Sequence, residues 1–194
     1  GWVERLERRR RRAWNRLLRG FCSPRFEQFL RFMEAALTAA PDRTAEASGA
    51  DRRVGDTAPK ILRRCFRKAL ESAFALDAES PESAFHEVRI RFKKLRYALE
   101  LFADLHPRAT RKLCKELAEI QDVLGEFQDE VVLRTLLRQG GGHGLNHDMK
   151  TARTRLETEI EERIAERQSD FLRLRDRLDS KTIRRLMDKL SSTD

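Results

Sequence analysis

Apolar residues recur at every third or fourth position along almost the whole chain, and nowhere do they alternate over a useful length. Val88, Phe92, Leu95, Leu99 and Phe102 are the plainest case. Their spacings of four, three, four and three draw one stripe along an α-helix. β-branched residues are sparse, while Glu, Arg, Leu, Ala and Lys dominate. Strands are therefore disfavoured and long helices favoured. The reading is an all-α protein whose long helices, joined by short connections, pack as an antiparallel up-and-down bundle.

Breakers cut the pattern into elements. A first helix is expected from about Val3 to Gly20, and Ser23 followed by Pro24 reads as a cap that opens a second, ending near Ala40. Residues 41–56 are rich in Ala, Asp, Gly and Ser and read as a flexible linker. Thr57 and Pro59 open a third helix, to about Leu76, and Ser80-Pro81 a fourth, to about Leu105. His106-Pro107 breaks it, and a fifth helix runs to about Gln139. Glycines at 140–142 and 144 mark a second flexible turn. A long charged helix then runs from about Asn146 to Leu178, and a short one closes the chain. The expected organisation is helices over 1–40, the linker, and a four-helix bundle over 57–194. The chain begins on Gly1 and not Met, so it reads as a fragment whose natural start lies upstream.

Charge narrows the partner. Lys and Arg number 41 against 32 Asp and Glu, a net charge of +9, yet hydrophobic residues still make up 40% and can build a core. A folded chain this basic favours anionic partners. No apolar run approaches the length of a membrane span, and no signal peptide is visible. Cys22, Cys65 and Cys114 are widely spaced and odd in number, which fits a reducing compartment and a cytoplasmic setting.

Helical phase shows where the charge sits. At about 100° per residue, Arg5, Arg8, Arg9, Arg12, Arg16 and Arg19 fall within an arc of about 100° on the first helix. Leu6, Ala13 and Leu17 take another side, and Glu4 and Glu7 lie off the centre of the stripe. Like charges four residues apart repel, so such a stripe calls for a counter-charge. On the third helix Lys60, Arg64, Arg67 and Lys68 lie opposite an apolar side of Leu62, Cys65, Phe66 and Ala69. The fourth helix sets His86, Arg89, Lys93, Arg96 and Tyr97 on the face away from its core stripe, with Lys94 beside them. Point charges, planar bidentate donors and a titratable donor together suit phosphate oxygens. Lys112 and Lys115 on the fifth helix complete the candidate set.

His86-x-x-Arg89-x-x-x-Lys93-x-x-Arg96-Tyr97-Ala98-Leu99-Glu100-Leu101-Phe102 resembles the signature helix of the conserved histidine α-helical domain, CHAD. Ile120-Gln121-Asp122-Val123-Leu124-Gly125-Glu126-Phe127-Gln128-Asp129 is similar to that family's second motif, with Gln128 where Asn is usual. The Ser23-Pro24-Arg25-Phe26 helix start also resembles a family feature. The resemblance implies two bundles related by pseudo-two-fold symmetry, each giving one His-x-x-Arg helix to a basic cavity. This chain carries one such helix, so 1–40 resembles the end of the N-terminal bundle and 57–194 the C-terminal one. A missing N-terminal half, or a homodimer, is expected to complete the cavity.

What the resemblance implies for function is binding of inorganic polyphosphate without catalysis, often within polyphosphate granules. Two other readings stand beside it. Non-specific nucleic-acid binding suits the charge, but no helix-turn-helix, zinc-finger or RNA-recognition pattern is present and the basic faces carry few stacking aromatics. Chelation of a divalent metal with phosphate would draw on His86, His143 or His147, but no Cys or acid completes a tetrahedral set, and no metal or cofactor is assigned. Asp122 and Asp129 share a face with Gly125; they are expected to orient the basic residues, and the glycine to permit close helix packing. His86 is expected to donate to phosphate or to cap its helix start.

Overall fold

Capping chemistry places the helices. The computed structural model describes residues 2–39, 52–139 and 146–191. The chain divides into two units, Gly1–Asp51 and Arg52–Asp194. In the first, α1 (Trp2–Phe21) turns into α2 (Pro24–Thr38). Ser23 makes the turn: its hydroxyl donates to the Gly20 carbonyl at 2.6 Å and accepts from the Phe26 amide at 3.2 Å. Pro24 follows at the first helical position, where its missing N–H costs nothing. Phe21 and Phe26 pack edge to face across the turn, 5.0 Å between centroids. No residue of α2 is buried, and Leu17, Phe29, Phe32 and Leu37 are all exposed.

The second unit holds α3 (Val54–Phe74), α4 (Glu82–Leu101), α5 (Pro107–Gln139), α6 (His147–Arg175) and α7 (Lys181–Ser191). Asn146 caps α6 by accepting the Met149 amide at 2.9 Å. Ser80 does not cap α4; its hydroxyl turns back to the Asp77 carboxylate at 2.7 Å, and Pro81 occupies the cap position. The third helix starts earlier than its proline suggests. Val54, Gly55 and Asp56, read as linker, are already helical, and Pro59 lies inside α3. Pro59 is the sixth residue of the helix, past the first turn, so it removes the bond an amide there would make to the Gly55 carbonyl. Burial of Ala58 and Pro59 holds that turn in place. Residues 41–51 of the expected linker and the glycine turn at 140–142 and 144 lie outside the described residues.

Side-chain pairs reveal an antiparallel register. From one end of the α4–α5 contact to the other, Glu82 meets Arg134, His86 meets Gln128, and the Phe92 carbonyl accepts from Gln121. Numbers rise on one helix as they fall on the other. The same holds for α5 and α6, where Glu126 pairs with Arg167 and Glu130 with Arg163. The bundle is therefore all-α and antiparallel, as its periodicity requires. α7 is a fifth helix of the unit; it packs against α3 and α5 and buries Ile183, Met187 and Leu190.

The core stripe of α4 is where its spacing puts it: Val88, Phe92, Leu95 and Leu99 are buried, and Phe102 is half-buried. Phe85 joins them, its ring 5.0 Å from Phe127 of α5 and 5.8 Å from Phe171 of α6. Burying one such ring is worth about 1.5–3 kcal/mol, and three in contact lock three helices together. At the C-terminus of α3, Arg175 donates to the Ala73 and Leu76 carbonyls and lies over the Phe74 ring. That satisfies carbonyls which the helix end leaves without partners. Among the described residues no helix is long and apolar enough to cross a membrane.

Candidate anion-binding grooves

Because its core stripe is buried in the bundle, α4 must turn its charged residues outward along its two flanks. Arg89, Lys93, Arg96 and Tyr97 line an open groove of about 490 Å³ between α4 and α5. Gln121, Asp122, Gly125, Glu126 and Asp129 form the α5 wall. Arg89 and Lys93 are half-buried and make no ion pair among the described residues. Arg96 lies 3.5 Å from Glu100 and 5.3 Å over the Tyr97 ring, and its Nε is buried without a hydrogen bond. Its free N–H groups are held near the groove at little further loss of rotamer freedom.

Arg96 and Glu100 also reach Cys114 on α5. Burial pushes that thiol up, Glu100 adds to the rise and Arg96 offsets part of it. Cys114 is thus kept protonated, the inert form of a thiol.

His86 is one turn before Arg89 and neither caps α4 nor stands free. Its Nδ1 is 2.6 Å from the Gln128 Oε1. A carbonyl oxygen only accepts, so Nδ1 carries the hydrogen, and in the neutral ring Nε2 is left as an acceptor. Gln128, which stands where the family motif has Asn, and Gln121 of the same motif both tie α5 to α4.

The α5 wall differs from expectation. Neither Asp122 nor Asp129 comes within ion-pair distance of a cation among the described residues, so they do not orient the basic side chains. Glu126 is engaged by Arg167 at 3.0 Å. A Cβ at Gly125 would meet nothing within 4 Å, so this glycine is not a helix-packing contact. It forms an open floor to the groove instead.

The other candidates fall elsewhere. Lys94 follows Lys93 but is turned by about 100°, onto the opposite flank of α4. There it lines a second groove, of about 400 Å³, with Arg64, Cys65 and Lys68 of α3 and Glu87, Ile90 and Arg91 of α4. Arg67 is tied to Glu71 at 3.4 Å, and Lys60 is exposed at the start of the same α3 face. Lys112 and Lys115 are exposed on α5. Arg111, also exposed, lies within about 40° of Gly125 in helical phase and so shares that face of α5. On α1, Arg5, Arg9, Arg12 and Arg16 are all exposed. The stripe is not free of acid, since Glu4 reaches Arg8 at 3.9 Å. Arg16 borders a cleft made by Leu17, Phe21, Phe26 and Phe29, an apolar surface unsuited to a polyanion.

Pairing separates the two sides of the bundle. Along α6, Arg153, Arg155, Arg163 and Arg167 each have a glutamate partner at 2.8–3.2 Å. Arg134 of α5 bridges Glu82 and Glu161 at 2.5 and 3.0 Å. On α3 and α4, by contrast, Lys60, Arg64, Lys68, Arg89, Lys93 and Lys94 have no such partner among the described residues. Within the second unit the excess positive charge lies on α3 and α4, along the flanks of α4, while in the first unit α1 carries eight arginines against two glutamates. No group of three or more His, Cys, Asp or Glu side chains that could hold a metal occurs among the described residues. His143 lies outside them.

The family CHAD domain matches residues 2–138, from the start of α1 almost to the end of α5. The chain belongs to the CHAD domain family. The match covers α4 and all but the last residue of α5, which wall the α4–α5 groove, and it spans the first unit and the part of the second up to 138. α6 and α7 follow it and supply the buried face against which the CHAD helices α3 and α5 pack. A comparison with curated proteins gives no match.

Proposed function

We propose that this CHAD chain binds inorganic polyphosphate in the α4–α5 groove and does not turn it over. The observation that carries this reading is the uncompensated charge of Arg89 and Lys93 beside Arg96, in a bundle whose long helix α6 pairs its arginines with acids. Half-buried cations without counter-ions are held at an electrostatic cost that an anion relieves. A phosphate polymer offers closely spaced oxygens and no base to read, and it asks only for cations at short spacing. Nucleic acid would gain from stacking surfaces, but the exposed Tyr97 ring already carries Arg96. Family membership supports the same ligand class.

The test is binding of long-chain polyphosphate at physiological salt, in competition with DNA at equal phosphate concentration, followed by a phosphate-release assay with Mg²⁺. Tight binding that DNA fails to displace, with no phosphate released, is expected. Displacement by DNA would overturn the choice of ligand, and sustained release would overturn the absence of turnover. Association with polyphosphate granules in cells follows from the same reading and would be seen by fluorescence localisation.

A further inference from the structure

The α3–α4 groove has the chemistry of a ligand site in its own right, and the fourth-helix signature does not account for it. Arg64 and Lys68 stand one turn apart on α3, with Lys60 a turn earlier, and Lys94 faces them from α4. Like charges at this spacing destabilise a helix unless something neutral or negative separates them. Nothing in the protein does: none of the four pairs with an acid among the described residues. Glu87 is the one carboxylate lining the groove, and Arg91 holds it at 2.5 Å. The Arg91 Nε is buried and unpartnered. The α4–α5 groove, by comparison, carries the unpaired Asp122 and Asp129. The α3–α4 groove is the more uniformly positive of the two.

We infer that the α3–α4 groove is a second polyphosphate site, so that α4 is gripped by anion on both flanks. This rests on the polyphosphate reading proposed above. Lys93 and Lys94, consecutive on α4, point one into each groove. A chain long enough to cross α4 engages both sites, and the second contact is then intramolecular and favoured by effective concentration. Chains too short to cross bind each groove separately and more weakly.

Cys65 lines the α3–α4 groove and is partly accessible, so its alkylation reports what occupies the groove. The experiment uses the full chain carrying Cys22→Ser and Cys114→Ser. The rate of iodoacetamide labelling is measured with and without long-chain polyphosphate, and the ratio is read. Polyphosphate is expected to slow labelling several-fold. The protection should vanish in the variant Arg64→Ala, Lys68→Ala, Lys94→Ala, whose exposed positions leave helicity unchanged. It should survive in Arg89→Ala, Lys93→Ala, Arg96→Ala. Polyphosphate that binds the parent without protecting Cys65 overturns the second site and leaves the α4–α5 reading standing. Protection lost in the second variant but kept in the first also overturns it. No binding of polyphosphate to the parent at all overturns both. Stronger protection by DNA of equal phosphate content would assign the groove to nucleic acid instead.

Discussion

The His86 Nδ1 donates to the Gln128 Oε1 at 2.6 Å, one residue along from the place where Phe85 and Phe127 stack at 5.0 Å. A buried apolar rung and an exposed polar rung thus follow each other between α4 and α5. The polar rung sets the tautomer of the histidine. With the hydrogen on Nδ1, only the imidazolium can offer Nε2–H to a phosphate oxygen. His86→Ala removes the bond that ties α4 to α5 here and should weaken polyphosphate binding. Gln128→Leu should weaken binding by a few-fold, about 0.5–1 kcal/mol, the net worth of one hydrogen bond. A binding isotherm for each variant measures both.

Arg89, Lys93 and Arg96 carry the first groove. Replacing all three with Ala should reduce polyphosphate affinity and leave far-UV circular dichroism unchanged, since none lies in the core stripe. By analogy with single-stranded nucleic acid, the slope of log K against log salt should become shallower by about 2. Unchanged affinity would mean that the face is only solvated charge.

Asp122 and Asp129 give a prediction of opposite sign. Both line the groove and neither pairs with a cation among the described residues. Converting them to Asn removes repulsion toward phosphate, so affinity should rise. Were they orienting the basic side chains, it would fall. Titration calorimetry of the double variant decides between the two.

Stability depends on the shared rungs. Phe85 is fully buried against α5 and α6, and Phe85→Ala should cost about 3–5 kcal/mol in denaturant unfolding. Arg134→Ala should cost less, about 1–2 kcal/mol, because Glu82 and Glu161 remain partly exposed to water. The Arg134 guanidinium is held charged by its bond to Glu82, with Glu161 adding to it. Its loss should therefore destabilise across the whole neutral range and not at one pH.

Helix content, antiparallel order, the buried stripe of α4 and the outward face of Arg89, Lys93 and Arg96 were all legible in the sequence. They follow from periodicity and local capping, and each is decided within one or two turns of a single helix. The start of α3 at Val54, before Thr57 and Pro59, goes with burial of Ala58 and Pro59, a tertiary matter that local spacing does not show. Phase around one helix could not say which neighbour a cation faces. That Lys93 lines one groove and Lys94 another depends on where α5 and α3 pack against α4. The partners of His86, the isolation of Asp122 and Asp129, and the open floor at Gly125 depend on the same packing. Local spacing determined the charged faces of this protein. Contacts between residues tens of positions apart decided which of those charges are neutralised and which are left for a ligand.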